Sequence, residues 1–137
     1  MPNSVETGYL EWFKKAEEDA FAGEKILEAK KFFAPACFHF QQMAEKYLKG
    51  LLVFCGKGFP KVHDLIQLET LLLEQIPEVN ILHADLKLLN RYYIETRYPG
   101  DYPKVNFIEC QKAFDSAKRI RDFVMRNIKR KHRKTIF

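Results

Sequence analysis

Glycine and proline are scarce, six of each among 137 residues, and no stretch alternates apolar and polar residues with a period of two. Hairpin dipeptides such as Asn-Gly and Asp-Gly are absent. Those absences exclude a sheet protein, which needs both the alternation and the turns. Cysteine is rarer still: Cys37, Cys55 and Cys110 are odd in number, far apart and set among apolar neighbours. They read as reduced core thiols rather than as disulfides or a zinc knuckle. With cysteine and histidine this scattered, no metal is expected. No apolar run approaches the roughly 20 residues that a membrane span requires. The first residues, MPNSVETGYLEW, carry no basic segment followed by an apolar one, so no leader is expected and the location is read as cytoplasmic.

What is present is apolar surface and charge. The hydrophobic fraction is 47%, with twelve phenylalanines, which excludes a disordered chain. The length suits one domain. The net charge of +5 is local. Lys129, Arg130, Lys131, Arg133 and Lys134 have no nearby acid, and 23 basic residues less these five leaves 18 against 18 acidic. The chain therefore divides into a neutral body, 1–128, and a basic tail, 129–137. Such a tail can meet nucleic acid or an acidic partner, or simply complement the negative pole of the last helix.

Apolar residues recur three and four apart throughout. Tyr9, Phe13, Ala16, Ala20, Gly23 and Leu27 form one stripe, in a helix expected from about Val5 to Lys30. Ala36, Phe40, Ala44, Tyr47, Leu51 and Phe54 form a second, in a helix from Phe33 to Cys55 stopped by GKGFP. A third helix opens at His63-Asp64-Leu65, with Asp64 as N-cap and Gln67 completing a capping box. A fourth is expected from about Ile81 to Thr96. The fifth begins near Asn106, again with a cap-and-acid pair (Asn106, Glu109), and places Cys110, Phe114, Ala117, Ile120, Val124 and Ile128 inward. Short connections between such helices imply an all-α fold, an antiparallel up-and-down four-helix bundle with an additional shorter helix.

Two polar features stand out. The second helix carries His39, Gln41, Gln42, Glu45, Lys46 and Lys49. Glu45 lies in line with Leu48 and Leu52, so it needs a partner, and Arg97 or Arg91 is the expected one. Lys46 and Lys49 are expected to be exposed, either as a solvated face or as phosphate ligands. The other feature is Arg97-Tyr98-Pro99-Gly100-Asp101-Tyr102-Pro103, a rigid turn. The stripe Leu82, Leu86, Leu89, Tyr93 extrapolates to Arg97, which would then point inward onto Glu45 or, failing that, Asp101.

The run FHFQQMAEKYLKGLLVFCG, then FPKVHDL, then LNRYYIETRYPGDYP, resembles the HEPN domain family over roughly Trp12 to Arg126. Its most specific pieces are Gln42-x-Ala44-Glu45-Lys46-x-Leu48-Lys49, His63-Asp64-Leu65 and Arg97-Tyr98-Pro99. The resemblance implies a bundle of the nucleotidyltransferase substrate-binding type, usually homodimeric. It also implies partnership with a minimal nucleotidyltransferase, often as a toxin–antitoxin pair. The family's metal-independent ribonuclease uses an arginine followed four to six residues later by a histidine. Neither Arg91 nor Arg97 is so followed here; Arg126 and His132 match the bare spacing at a helix end.

The expected function is therefore a non-catalytic module. Its polar cleft of Gln42, Glu45, Lys46, Lys49, His63, Arg91, Arg97 and Tyr102 would take a nucleotide or a nucleotide-bearing partner, with no cofactor. RNA is a further expected ligand, at the cleft or the basic tail. The alternative is a degenerate ribonuclease toxin using Arg97 with His63 or Tyr102; Tyr102 could also accept a nucleotidyl group from a partner enzyme. Dimerisation is expected because Trp12, Phe32, Phe33, Phe38, Phe59 and Tyr92 fall off the main stripes and need cover.

Overall fold

The computed structural model describes residues 4–93, 100 and 103–136, with side chains described from 8 to 131 within those spans. Five α-helices account for most of them: α1 Ser4–Glu28, α2 Phe33–Phe54, α3 Leu65–Leu73, α4 His83–Asn90 and α5 Phe107–Ile136. Among the described residues there is no strand. The fold is the expected all-α bundle.

The central element is α2, which touches each of the other four helices. That position follows from its composition. Its apolar residues cover more than one face: besides Ala36, Phe40, Ala44, Tyr47 and Leu51, the structure buries Cys37, Met43, Leu48 and Leu52. A helix apolar on so much of its circumference must be surrounded. By contrast, α1 and α5 bury single stripes and carry their charges outward. All the inward positions expected of α5 are buried, as are Phe13, Ala16, Ala20 and Leu27 of α1.

The helix ends follow local chemistry. A left-handed Gly56 (φ 72) closes α2, with Gly56 N–H donating to the Val53 carbonyl and Lys57 N–H to Leu52. This is the pairing that satisfies a helix's last carbonyls. Asp64 caps α3 by accepting from Ile66 N–H at 2.9 Å, and Asn106 caps α5 by accepting from Glu109 N–H at 2.8 Å. Gln67 returns no bond to Asp64 among the described residues, so the capping box is only half built.

The expected fourth helix needs correction. Pro77–Leu82 is a 3-10 helix, and the α-helix runs only from His83 to Asn90, not to Thr96. Asn90 is the reason. Its side-chain carbonyl accepts from Leu65 N–H at 2.9 Å and its amide donates to Asp64 at 2.8 Å. Asn90 thereby welds the end of α4 to the start of α3, and Arg91 and Tyr92 form a turn rather than another helical turn. Tyr92 is buried, while Tyr93 is only partly so. The stripe expected to carry Arg97 inward is thus broken before it arrives, and Arg97 itself lies outside the described residues.

The off-stripe aromatics mostly find cover within the chain. Trp12 meets Phe59 edge to face, Phe33 meets Phe107, and Phe38 meets Tyr93. Of the six, Phe32 alone is well exposed.

Two glycines set how closely α1 and α2 approach. A β-carbon on Gly23 would fall 2.5 Å from the Phe40 ring, and one on Gly50 would meet the Phe13 ring. Both rings are buried, so neither can move cheaply. Glycine to alanine inside a helix ordinarily stabilises by about 0.5–1 kcal/mol. Gly23→Ala should instead destabilise by about 1–3 kcal/mol through overpacking. Urea unfolding decides the sign; a midpoint at or above the parent's would contradict the packing described.

Candidate functional site

The polar strip of α2 resolves into two clusters with different partners. On the α1 side, Asp19 accepts from Lys46 Nζ at 2.5 Å and sits 2.9 Å from His39 Nδ1. At the next residue of α2, the Tyr47 hydroxyl donates to Glu17. Burial, then that bond, pushes the Tyr47 phenol well above its ordinary 10. This cluster ties α1 to α2 and leaves little free polarity.

The second cluster faces the α3 side. Glu45 is 3% exposed and Lys49 5%. Lys49 Nζ donates to Glu45 at 3.0 Å, one helical turn along α2. The ammonium also lies 5.5 Å from the centroid of Trp12 and 5.7 Å from that of Phe59. Aromatic faces and one carboxylate therefore replace its water. Glu45 has further partners: Gln42 Nε2 at 3.4 Å, and His63 Nδ1 at 3.1 Å and 3.3 Å from its two oxygens. Gln41 donates to the His63 carbonyl at 3.1 Å and accepts from Gln42 at 2.7 Å. Both the ring and the backbone of His63 are thus held from α2. The Glu45 charge is buried but fully partnered, which is the condition for tolerating it.

The His63 side chain remains 44% exposed. Its ring stacks on Tyr93, with centroids 4.4 Å apart and planes 15° from parallel. The two rings border a cavity of about 350 Å³ lined also by Val62, Asp64, Gln67 and Asn90. Chemically this is an imidazole anchored through Nδ1 by a buried carboxylate, with no partner on Nε2 among the described residues. Beside it stand a phenol face, two amides and a carboxylate. A site of that make-up can stack a flat ring, accept a hydrogen bond at Nε2 and accept another at Asp64.

Of the residues expected to share one cleft, the structure brings Gln42, Glu45, Lys49 and His63 together. Lys49 is not exposed, because Trp12 and Phe59 close over it. Lys46 turns to Asp19 on the other cluster. Arg91 does not pair with Glu45: its Nε donates to the Leu88 carbonyl at 3.3 Å, and its guanidinium lies 5.6 Å from the Tyr92 ring. Arg97, Asp101 and Tyr102 lie outside the described residues, as does the side chain of His132. Sequence reasoning misses Tyr93, Asn90 and Gln67 as site residues. Periodicity assigns Tyr93 to the core stripe, and only the shortened α4 frees it to meet His63.

Cys37 and Cys110 are buried against each other, and Cys55 is partly exposed; all three are free thiols. The hydrogen bond to Cys110, then burial, raises the Cys37 thiol, which stays protonated. Among the described residues no group of three His, Cys, Asp or Glu side chains could hold a metal ion. Nor is any helix there long and apolar enough to cross a membrane.

These features define a small helical bundle with a polar network on its central helix. The HEPN domain model matches residues 9–130, and the chain belongs to the HEPN family. TT1696 from Thermus thermophilus is 31% identical, with a TM-score of 0.75 over 86% of this chain and 96% of that one. ST0689, described as an archaeal HEPN homologue, is 26% identical, with a TM-score of 0.70 over 88% and 97%. Among curated proteins there is no match.

Lys49→Met keeps the aliphatic stem but strips Glu45 of its closest partner. Gln42 and His63 still reach the carboxylate, so the expected cost is that of a partly satisfied buried group, about 1–3 kcal/mol. The double change Glu45→Gln/Lys49→Met should recover part of that loss. Denaturant midpoints check both; a single variant as stable as the parent would show that Lys49 is not in the network.

Proposed function

We propose that this HEPN protein is a non-catalytic binding module whose His63–Tyr93 face receives a nucleotide or the nucleotide-bearing surface of a partner. The observation that carries the reading is the anchored His63–Tyr93 stack at the mouth of an open cavity of about 350 Å³. That volume lies in the range of small-ligand sites, and a base can stack on such rings. The natural partner is a minimal nucleotidyltransferase, in a toxin–antitoxin-like pair, with the module acting as a cytoplasmic homodimer. The basic end of α5, residues 129–137, is a second place for RNA or an acidic partner. Family membership supports these assignments as a class.

A degenerate ribonuclease is the second reading, and one observation favours it. A buried carboxylate on Nδ1 orients His63 as proton acceptors are oriented elsewhere. Arg97 or Tyr102 would have to supply the remaining chemistry. Binding and cleavage separate in one set of measurements on the purified chain. Calorimetry with AMP, ATP and GTP should show saturable binding, weakened at least about tenfold in Tyr93→Ala through the lost stacking. Transfer RNA incubated with the protein should stay intact. No binding up to millimolar nucleotide would sink the first reading, and cleavage lost in His63→Ala would establish the second.

A further inference from the structure

The cavity beside His63 has no arginine or lysine among its lining residues. A different face of the bundle has two. Phe123, Arg126, Asn127 and Arg130 recur three and four apart, so they share one face of α5. Together with Glu78 of the 3-10 helix they line a cavity of about 250 Å³.

The cations of this pocket differ from several neighbours on α5, although Lys112 and Lys129 likewise have no ion-pair partner among the described residues. Lys118 is bridged to Asp115, Arg119 to Asp85 and Arg121 to Asp122. Neither Arg126 nor Arg130 has an ion-pair partner among the described residues; Glu78, the acid at the pocket, bridges neither. Two guanidiniums one turn apart repel each other, and here they do so at a concavity. Phe123 is buried beneath them. Asn127, also buried, donates to the Phe123 carbonyl at 2.9 Å and keeps a second amide hydrogen to give. The helix dipole does not help, since this end of α5 is its negative pole. The guanidiniums must therefore supply the attraction.

We propose that Arg126 and Arg130 form an oxyanion site for a terminal phosphate group, held by two guanidinium forks. Its source is a free nucleotide or the 5′ end of an RNA. Glu78 opposes the second negative charge of the phosphate and keeps binding reversible. The site is separate from the His63 face and does not depend on how that face is used.

The test follows the Arg Nε–H resonances of the isotope-labelled full chain during titration with inorganic phosphate, at constant ionic strength against chloride. Saturable shifts at Arg126 and Arg130 are expected. Arg126→Gln or Arg130→Gln should weaken binding about tenfold, as loss of a charged hydrogen bond does. Glu78→Gln should tighten it, and Lys112→Gln, at an exposed lysine of α5 outside the pocket and the tail, should leave it unchanged. Shifts that do not saturate, that chloride reproduces, or that Lys112→Gln reduces equally would overturn the site, since each indicates only an ion cloud. AMP and a short RNA, with and without its 5′-phosphate, then identify the source. AMP binding as well as the phosphorylated RNA assigns free nucleotide, and preference for the phosphorylated RNA assigns the RNA end. Equal binding of the unphosphorylated RNA would overturn the terminal-phosphate assignment.

Discussion

A carboxylate buried on the central helix governs this molecule. Glu45 sits on the one α-helix that touches all four other α-helices, at 3% exposure. Taking such a charge out of water costs several kcal/mol unless partners replace the solvent. Its partners are Gln42, Lys49 and His63, and Lys49 in turn draws in the rings of Trp12 and Phe59. Lys49 is on the same helix, His63 is on the segment leading into α3, and the aromatic rings that enclose Lys49 come from α1 and the loop after α2. Meeting that demand holds Trp12 of α1 and the loop from Gly56 to Asp64 against α2, alongside the close approach that Gly23 and Gly50 permit. The same demand leaves the Nε2 edge of the imidazole without a partner among the described residues, so the polar network that the core requires also builds the face proposed for a ligand.

Much of the fold is legible in the sequence because helical packing writes itself at a period of 3.6. The stripes of α1, α2 and α5 are buried nearly residue for residue, and the caps at Asp64 and Asn106 form as their side chains predict. The end of α4 is not legible. It is set by Asn90, whose amide bonds to the start of α3, and no periodicity reports a long-range side-chain contact. The spacing of Leu82, Leu86, Leu89 and Tyr93 continues smoothly past the point where the helix stops.

The site is half legible for a similar reason. The pattern correctly marks Glu45 as a buried carboxylate in need of a partner. It points to arginines far along the chain for that partner, although Lys49 stands one turn away. A lysine four residues after a glutamate usually marks a solvated helix face. Here the cover comes from Trp12 and Phe59, which lie off every stripe and whose destination the pattern does not specify. Tyr93 likewise reads as core, and its role follows only from where α4 ends.

The central claim is that Glu45 holds the His63 ring by Nδ1 and leaves Nε2 free. A long-range proton–nitrogen correlation spectrum of the imidazoles reads this directly, at a pH where His63 is neutral. The account predicts a single His63 tautomer with its hydrogen on Nδ1, shifting toward the mixed signal of free imidazole in Glu45→Gln. A His63 ring protonated on Nε2 in the parent protein, or one already averaging between tautomers, would contradict it.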